Sequence, residues 1–346
     1  MGADLIDTIY FEEDVGKHPR TLSIFDRFKS VRKIPIKRFG EVFNRRGQNF
    51  RIQKRNPSLI LARKHNGHVL PAPDGFGIGG TKNFYFSHMY NCVYDCRYCF
   101  LQGMFASANY VLFVNFEDFD EKIEKIINEH PNENVTFFSG YDCDSLALEN
   151  ITGFAGHILP IFKNHPNSLL EFRTKSVQAN PLMSMAAIPN CVIAYSLLPE
   201  AISLKLDNKA PSIKRRIETM SSLARQGWKI GLRFDPLIHG KNWQQLYQGL
   251  IEDVFKVIPE QSIHSVSFGP LRFPKAMYRD IFKLYPEEPL FSGPLDHDRP
   301  VVAYKKETEE QMTEFCQQMF AKFIPDSIIF RCITEGQAPG LQKNEG

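Results

Sequence analysis

From about Tyr85 onward the chain alternates short apolar runs with amphipathic stretches of helical period. The runs at 110–115, 135–139, 169–174, 192–196, 230–235 and 263–268 have strand length and composition. Between them, 119–128, 213–226 and 243–258 place apolar residues three and four apart, and the second of these stretches stops at Gly227. Strands separated by helices at this spacing specify a parallel sheet built through right-handed crossovers. With a further strand near 84–89 there are six or seven such units, fewer than the eight of a closed barrel. The pattern therefore predicts an α/β fold with an open, partial barrel of (β/α)6 type. Beyond Pro274 the rhythm changes: 290–304 (LFSGPLDHDRPVVAY) reads as a C-terminal β-hairpin with a polar tip, and 307–323 as a closing amphipathic helix.

Residues 1–82 follow a different pattern, with few long apolar runs and many basic positions, so they read as an N-terminal extension packed on a barrel that spans 83–346. The basic residues Arg45, Arg46, Arg51 and Lys54, with Lys305 and Lys306, form either a solvated face or a local phosphate-binding groove. Overall charge does not decide between these readings, because 42 Lys+Arg against 39 Asp+Glu leave a formal +3. Hydrophobic residues at 43% and charged residues at 23% exclude a wholly disordered, collagen-like or coiled-coil chain. The acidic start, 1–7, has no apolar core of a signal peptide, and no run of 18 apolar residues follows, which predicts a cytoplasmic protein without membrane association.

Seven cysteines stand at 92, 96, 99, 143, 191, 316 and 332, three of them within eight residues. An odd, clustered set in such a chain points to a reduced compartment and a metal site, not a disulfide framework. Cys92, Cys96 and Cys99 form a C-x3-C-x2-C loop just after a predicted strand. Three thiolates can ligate three irons of a [4Fe–4S] cluster and leave the fourth open. The rival chemistry is zinc, with His88 joining the three cysteines in a Cys3His site. The spacing, followed by a partial parallel barrel, resembles the radical S-adenosylmethionine superfamily, which implies that the open iron binds S-adenosylmethionine and that its reduction releases a 5′-deoxyadenosyl radical.

The resemblance narrows along the chain. Tyr98-Cys99-Phe100-Leu101-Gln102, Phe172-Arg173-Thr174-Lys175, Tyr195-Ser196, Ala210-Pro211, the 235–239 stretch with Trp243, and Gly269-Pro270-Leu271-Arg272-Phe273 resemble the spore photoproduct lyase family. That resemblance implies a DNA repair lyase that reverses a methylene-bridged thymine photodimer to two thymines. It implies Cys143 as the hydrogen-atom donor that restores the second thymine; a thiol suits this step because S–H is weaker than C–H. Tyr98 is implied as a relay and cofactor contact, and Lys175, Ser196 and Ser145 as further S-adenosylmethionine contacts. An acidic cofactor contact of the family falls at Leu146 here, or is shifted to Asp144. Cys191, Cys316 and Cys332 read as core or surface thiols. Damaged DNA and an external electron donor such as flavodoxin or ferredoxin are the implied partners of a monomeric enzyme. Two departures stand out: the family's second loop tyrosine is Phe100, and its Arg-Tyr pair on the hairpin is Ala303-Tyr304. They favour, as alternatives, a related radical enzyme with another nucleic-acid or small substrate. A non-catalytic zinc or iron–sulfur nucleic-acid-binding protein is the reading from a different class.

Overall fold

The computed structural model describes residues 6–332. Seven strands lie parallel and in chain order: Lys82–Phe86, Val135–Ser139, Ser168–Thr174, Cys191–Ser196, Lys229–Leu237, Ile263–Pro270 and Ile329–Arg331. Val69–Pro71 adds an antiparallel edge beside the first. Every residue of Val135–Ser139 and Cys191–Ser196 is buried, as expected of strands covered on both faces. The sheet curls into an open half-barrel with helices outside, the predicted architecture.

The helices bury one stripe each. In Phe116–Glu129 the buried positions are Phe116, Phe119, Ile123 and Ile126, three or four apart. In Ile213–Arg225 the stripe of Ile213, Met220, Leu223 and Ala224 also contains Arg216, which is fully buried. The final helix, Lys306–Phe320, turns Met312, Cys316 and Phe320 inward, and the Phe320 ring meets Phe234 at 5.0 Å and Phe268 at 5.5 Å.

The structure corrects one strand assignment. Tyr110–Phe113 does not enter the barrel; it pairs in parallel with Leu59–Ala62 of the N-terminal segment. The resulting second sheet runs Arg32–Ile36, Thr8–Glu12, Leu59–Ala62, Tyr110–Phe113 and Met89–Tyr90, the last strand antiparallel. An apolar run followed by an amphipathic helix looks the same in either sheet, since periodicity reports burial and not the pairing partner. The seventh barrel strand, Ile329–Arg331, is three residues long and carries too little pattern to be read from sequence. The hairpin is present as Leu295–Asp296 and Val301–Tyr304, which join Arg272–Pro274 in a three-stranded antiparallel sheet at the mouth of the barrel. No helix among the described residues is long and apolar enough to cross a membrane.

Candidate active site

The cysteine loop begins at Asn91, whose φ of 65° turns the chain and whose side-chain amide donates to the carbonyls of Ser107 and Asn109 at 2.7 and 2.8 Å. Asp95–Cys96 then pairs antiparallel with Asp207–Asn208, and the Arg97 amide donates to Leu206. The loop is thus fastened to the segment after the fourth barrel strand. Lys54 completes the support. It is buried, and its ammonium donates to the Cys92 carbonyl at 2.5 Å. Lys54 therefore belongs under the cysteine loop and is not part of an exposed phosphate-binding groove; Arg45, Arg46 and Arg51 are exposed, with Arg51 paired to Glu287 at 2.8 Å.

Cys92, Cys96 and Cys99 line a cavity of about 340 Å³ inside the barrel, together with Tyr98, Cys143, Lys175 and Ser196. Sequence positions more than a hundred residues apart, Cys92 and Ser196, therefore meet in one place. Cys143 follows a turn at Gly140, where φ is +77° and a Cβ would lie 2.4 Å from the Ser145 hydroxyl, so only glycine fits. Burial, reinforced by Cys92, Asp142 and Asp144, pushes the Cys143 thiol well above its ordinary pKa, while the Met89 N–H points at the sulfur. The side chain thus remains protonated S–H at neutral pH.

Ser145 lies outside the cavity lining. Its hydroxyl donates to the Ser139 carbonyl at 2.9 Å and braces the same turn. Asp144 lines the cavity, but its carboxylate accepts from the Thr174 hydroxyl and the Lys175 amide, both at 2.7 Å, and from the Leu146 amide at 3.0 Å. It clamps the Cys143 turn to the end of the third strand. Leu146 is buried in the core.

Beneath the cysteine loop runs a saturated ionic network that sequence reading missed. Tyr98 donates its hydroxyl to Asp207, which also accepts from Arg216 at 2.8 Å and Ser203 at 3.1 Å. Arg216 donates onward to the Ser196 carbonyl at 2.9 Å. Burial opposes the Lys175 charge, but Cys96 and Asp207 outweigh it and raise its pKa; its ammonium lies 5.3 Å from the Tyr98 ring centre. The available signal was Arg216 itself, a charge at an apolar position of its helical stripe.

His88 does not join the cysteines. It is buried, absent from the cavity lining and stacked on Phe154 at 4.0 Å and 1°. The Cys3His zinc reading therefore loses its fourth ligand. Ala303 and Tyr304 are buried as well, the Tyr304 hydroxyl accepting from the His239 amide at 3.0 Å, so neither projects from the hairpin. The exposed part of the hairpin is its tip, around His297 and Asp298, and Val301 borders the cavity.

The donor set suits an iron–sulfur cluster and a polar cofactor. Three cysteines from one loop share a wall with Lys175, and the Ser139 hydroxyl, buried and without a partner among the described residues, also lines the cavity. Partial barrel and cysteine loop together define a radical S-adenosylmethionine enzyme, with a [4Fe–4S] cluster as its cofactor. Within that class the spore photoproduct lyase family model matches residues 84–331, and the chain belongs to this family. It is 22% identical over 251 residues to the spore photoproduct lyase of Bacillus subtilis (strain 168), covering 69% of this chain and 72% of the relative. The Geobacillus sp. (strain Y412MC61) enzyme is 20% identical over 249 residues, covering 68% and 72%. Among solved structures, a spore photoproduct lyase variant with bound AdoMet and dinucleoside spore photoproduct superposes with a TM-score of 0.82 at 17% identity, covering 95% of this chain and 98% of that one. The non-catalytic reading is overturned by this membership.

Proposed function

We propose that this chain is a DNA repair lyase that converts a methylene-bridged thymine photodimer to two thymines. The observation that carries the reading is the convergence of Cys143 with the three loop cysteines on one buried cavity. Cys92, Cys96 and Cys99 would hold the cluster, with Lys175 and Ser196 beside it for the S-adenosylmethionine carboxylate and ribose. When bound, the cluster and S-adenosylmethionine together supply the 5′-deoxyadenosyl radical that removes a hydrogen atom from the lesion.

The protein's own residues do the rest. The raised pKa of Cys143 keeps a hydrogen on its sulfur, ready for a carbon radical left after the bridge breaks. Transfer runs downhill because S–H is weaker than C–H; serine in the same place would not serve. Tyr98 is assigned to the cofactor wall and to the return of hydrogen atoms, its hydroxyl held by Asp207. A lesion must leave the base stack to reach such a cavity, and the hairpin tip at the barrel mouth is placed to occupy the gap. The seven free cysteines fit a reducing, cytoplasmic setting and an external flavodoxin- or ferredoxin-type electron donor. A monomer is supported by exposed large apolar side chains, Leu22, Ile52, Leu204, Val257 and Phe282, that lie on five separate helices.

The test is anaerobic reconstitution with iron and sulfide, then incubation with S-adenosylmethionine, a reductant and oligonucleotides carrying defined lesions. The expected result is restored thymine from the methylene-bridged photodimer. Formation of 5′-deoxyadenosine without repair of any thymine lesion would transfer the chemistry to another substrate.

A further inference from the structure

Two segments grip the cysteine loop, and each carries an exposed cation beside its point of attachment. In the first, the turn Phe50–Gln53 leads into Lys54, whose ammonium holds the Cys92 carbonyl, and Arg55 follows on the surface. In the second, the helix Glu200–Leu206 ends with the Leu206 carbonyl accepting from the Arg97 amide at 2.9 Å, and Lys205 stands exposed just before it. Lys209 ties the two together, its ammonium donating to the Lys54 carbonyl at 2.7 Å. Arg55, Lys205 and Lys209 have no carboxylate partner among the described residues. Arg51 and Arg97 differ: the first is paired with Glu287, the second with Asp95 at 2.8 Å and Glu288 at 3.7 Å. Asp7, near the first segment, is taken up by the Asn56 amide.

The same two segments carry the two most exposed large apolar side chains among the described residues, Leu204 at 73% and Ile52 at 64%. Bare aliphatic groups among unpaired cations suit a small, transient contact with an acidic protein, in which apolar contact gives adhesion and charge gives the encounter rate. Duplex DNA belongs elsewhere. The helix Lys275–Leu284 separates this surface from the hairpin: its Tyr278 ring meets His297 of the hairpin tip at 5.1 Å, whereas the Leu284 carbonyl, about 9 Å further along the helix, accepts from Arg51 at 3.1 Å.

We propose that the surface around Arg55 and Lys205 docks an acidic one-electron carrier protein. The inference rests on the reading above that an external carrier supplies the electron, and it adds the place of delivery. One electron leaves the carrier and enters at the cysteines; no proton or group crosses with it. Tunnelling falls steeply with distance, so a carrier seated on the segments bonded directly to the cysteine loop is better placed than one seated on the outer helices.

The experiment uses two acidic probes, a flavodoxin and a [2Fe–2S] ferredoxin. Binding of each, oxidised, is measured on the reconstituted protein; deoxyadenosine formation is then measured with each, reduced, and with dithionite, which needs no docking site. Arg55→Glu combined with Lys205→Glu should weaken carrier binding on the order of tenfold at low salt, as expected for two reversed surface charges. The difference should vanish at about 1 M salt, where the screening length is about 3 Å. Carrier-driven deoxyadenosine formation should slow in parallel, while dithionite-driven formation, iron content and duplex affinity match wild type. Arg55→Lys should keep carrier binding. Lys163→Glu combined with Lys322→Glu makes the same change of net charge at exposed positions where the chain turns into the third and seventh strands, at the opposite end of the barrel, and should bind carrier as wild type does. Undiminished carrier binding in the Arg55/Lys205 variant, or an equal loss in the Lys163/Lys322 control, overturns the dock alone. Loss of duplex affinity with carrier binding intact gives the surface to DNA and also overturns it. Failure of both carriers to bind or to drive cleavage, with dithionite active, removes the external-carrier reading and the dock with it. Carrier-driven cleavage that depends on Arg55 and Lys205 but repairs no photodimer sinks only the lyase reading.

Discussion

Two arginine–carboxylate pairs are buried in this barrel, and they serve different ends. Arg216–Asp207 and Arg233–Glu171 are almost equally inaccessible, the first joined by one hydrogen bond and the second by two. The first joins parts far apart in sequence: the cysteine loop through Tyr98, the fourth strand through Ser196, and the helix that carries Arg216. The second stays within the barrel sheet, reaching across the fourth strand from the fifth to the third, with Arg233 also donating to the Ser265 carbonyl at 3.0 Å and hydroxyl at 2.8 Å on the sixth. Burying an ion pair gains little stability over apolar packing, yet losing one partner is expensive. The same chemistry therefore fixes the cofactor loop in one place and braces the barrel sheet in the other.

The largest effect expected on the cofactor end comes from the cysteines. Cys92→Ala, Cys96→Ala and Cys99→Ala should each abolish deoxyadenosine formation and lower iron content, while thermal unfolding of the cluster-free protein stays close to wild type. A single variant with full cleavage would remove that residue from the ligand set. Cys143→Ala comes next: cofactor cleavage and photodimer consumption should persist, and clean recovery of two thymines should be lost, as read by mass spectrometry. Normal thymine yield would make Cys143 merely structural.

The two pairs are then separated directly. Arg233→Met strands Glu171 with only Arg173 and should cost about 3–5 kcal/mol in denaturant unfolding, leaving cleavage per folded molecule intact. Arg216→Met should cost a similar amount and, in addition, lower iron retention, because Tyr98 and Ser196 lose their common anchor. Equal iron retention in the two variants would erase the distinction between the networks.

Sequence alone reached the partial barrel, the cysteine loop and the place of Cys143 on the cavity wall, because each leaves a local signature: a period, a spacing, or a thiol after a strand. It misplaced Lys54 because a lysine in a basic stretch looks solvated whether or not its ammonium finds a buried carbonyl. It placed 110–113 in the wrong sheet because pairing partners are not periodic. Asp207 has no local signature either; it acquires a role only when the chain brings Tyr98, Ser203 and Arg216 around it. Ser145 matched by position, yet the glycine turn directs its hydroxyl to Ser139.

The smallest expected effect concerns His88, the discarded zinc ligand. Burial, with Lys64 nearby, lowers its pKa from 6.5 to about 3, and its Nδ1 has no partner among the described residues. In the unfolded chain the imidazole takes up a proton below about 6.5, whereas the folded protein keeps it neutral until much lower pH. Stability from this group is therefore complete above pH 6.5 and lost as the pH falls toward 3, about 2 kcal/mol of it by pH 5. His88→Phe keeps a ring stacked on Phe154 and removes the titrating group. Its unfolding free energy should lie within about 1 kcal/mol of wild type at neutral pH, as for other shape-conserving swaps. Near pH 5 the variant should be the more stable of the two by about the titration difference. Parallel acid limbs in the two proteins would show that His88 is protonated in the folded state, and an iron content lowered by the substitution would return it to the cysteine site.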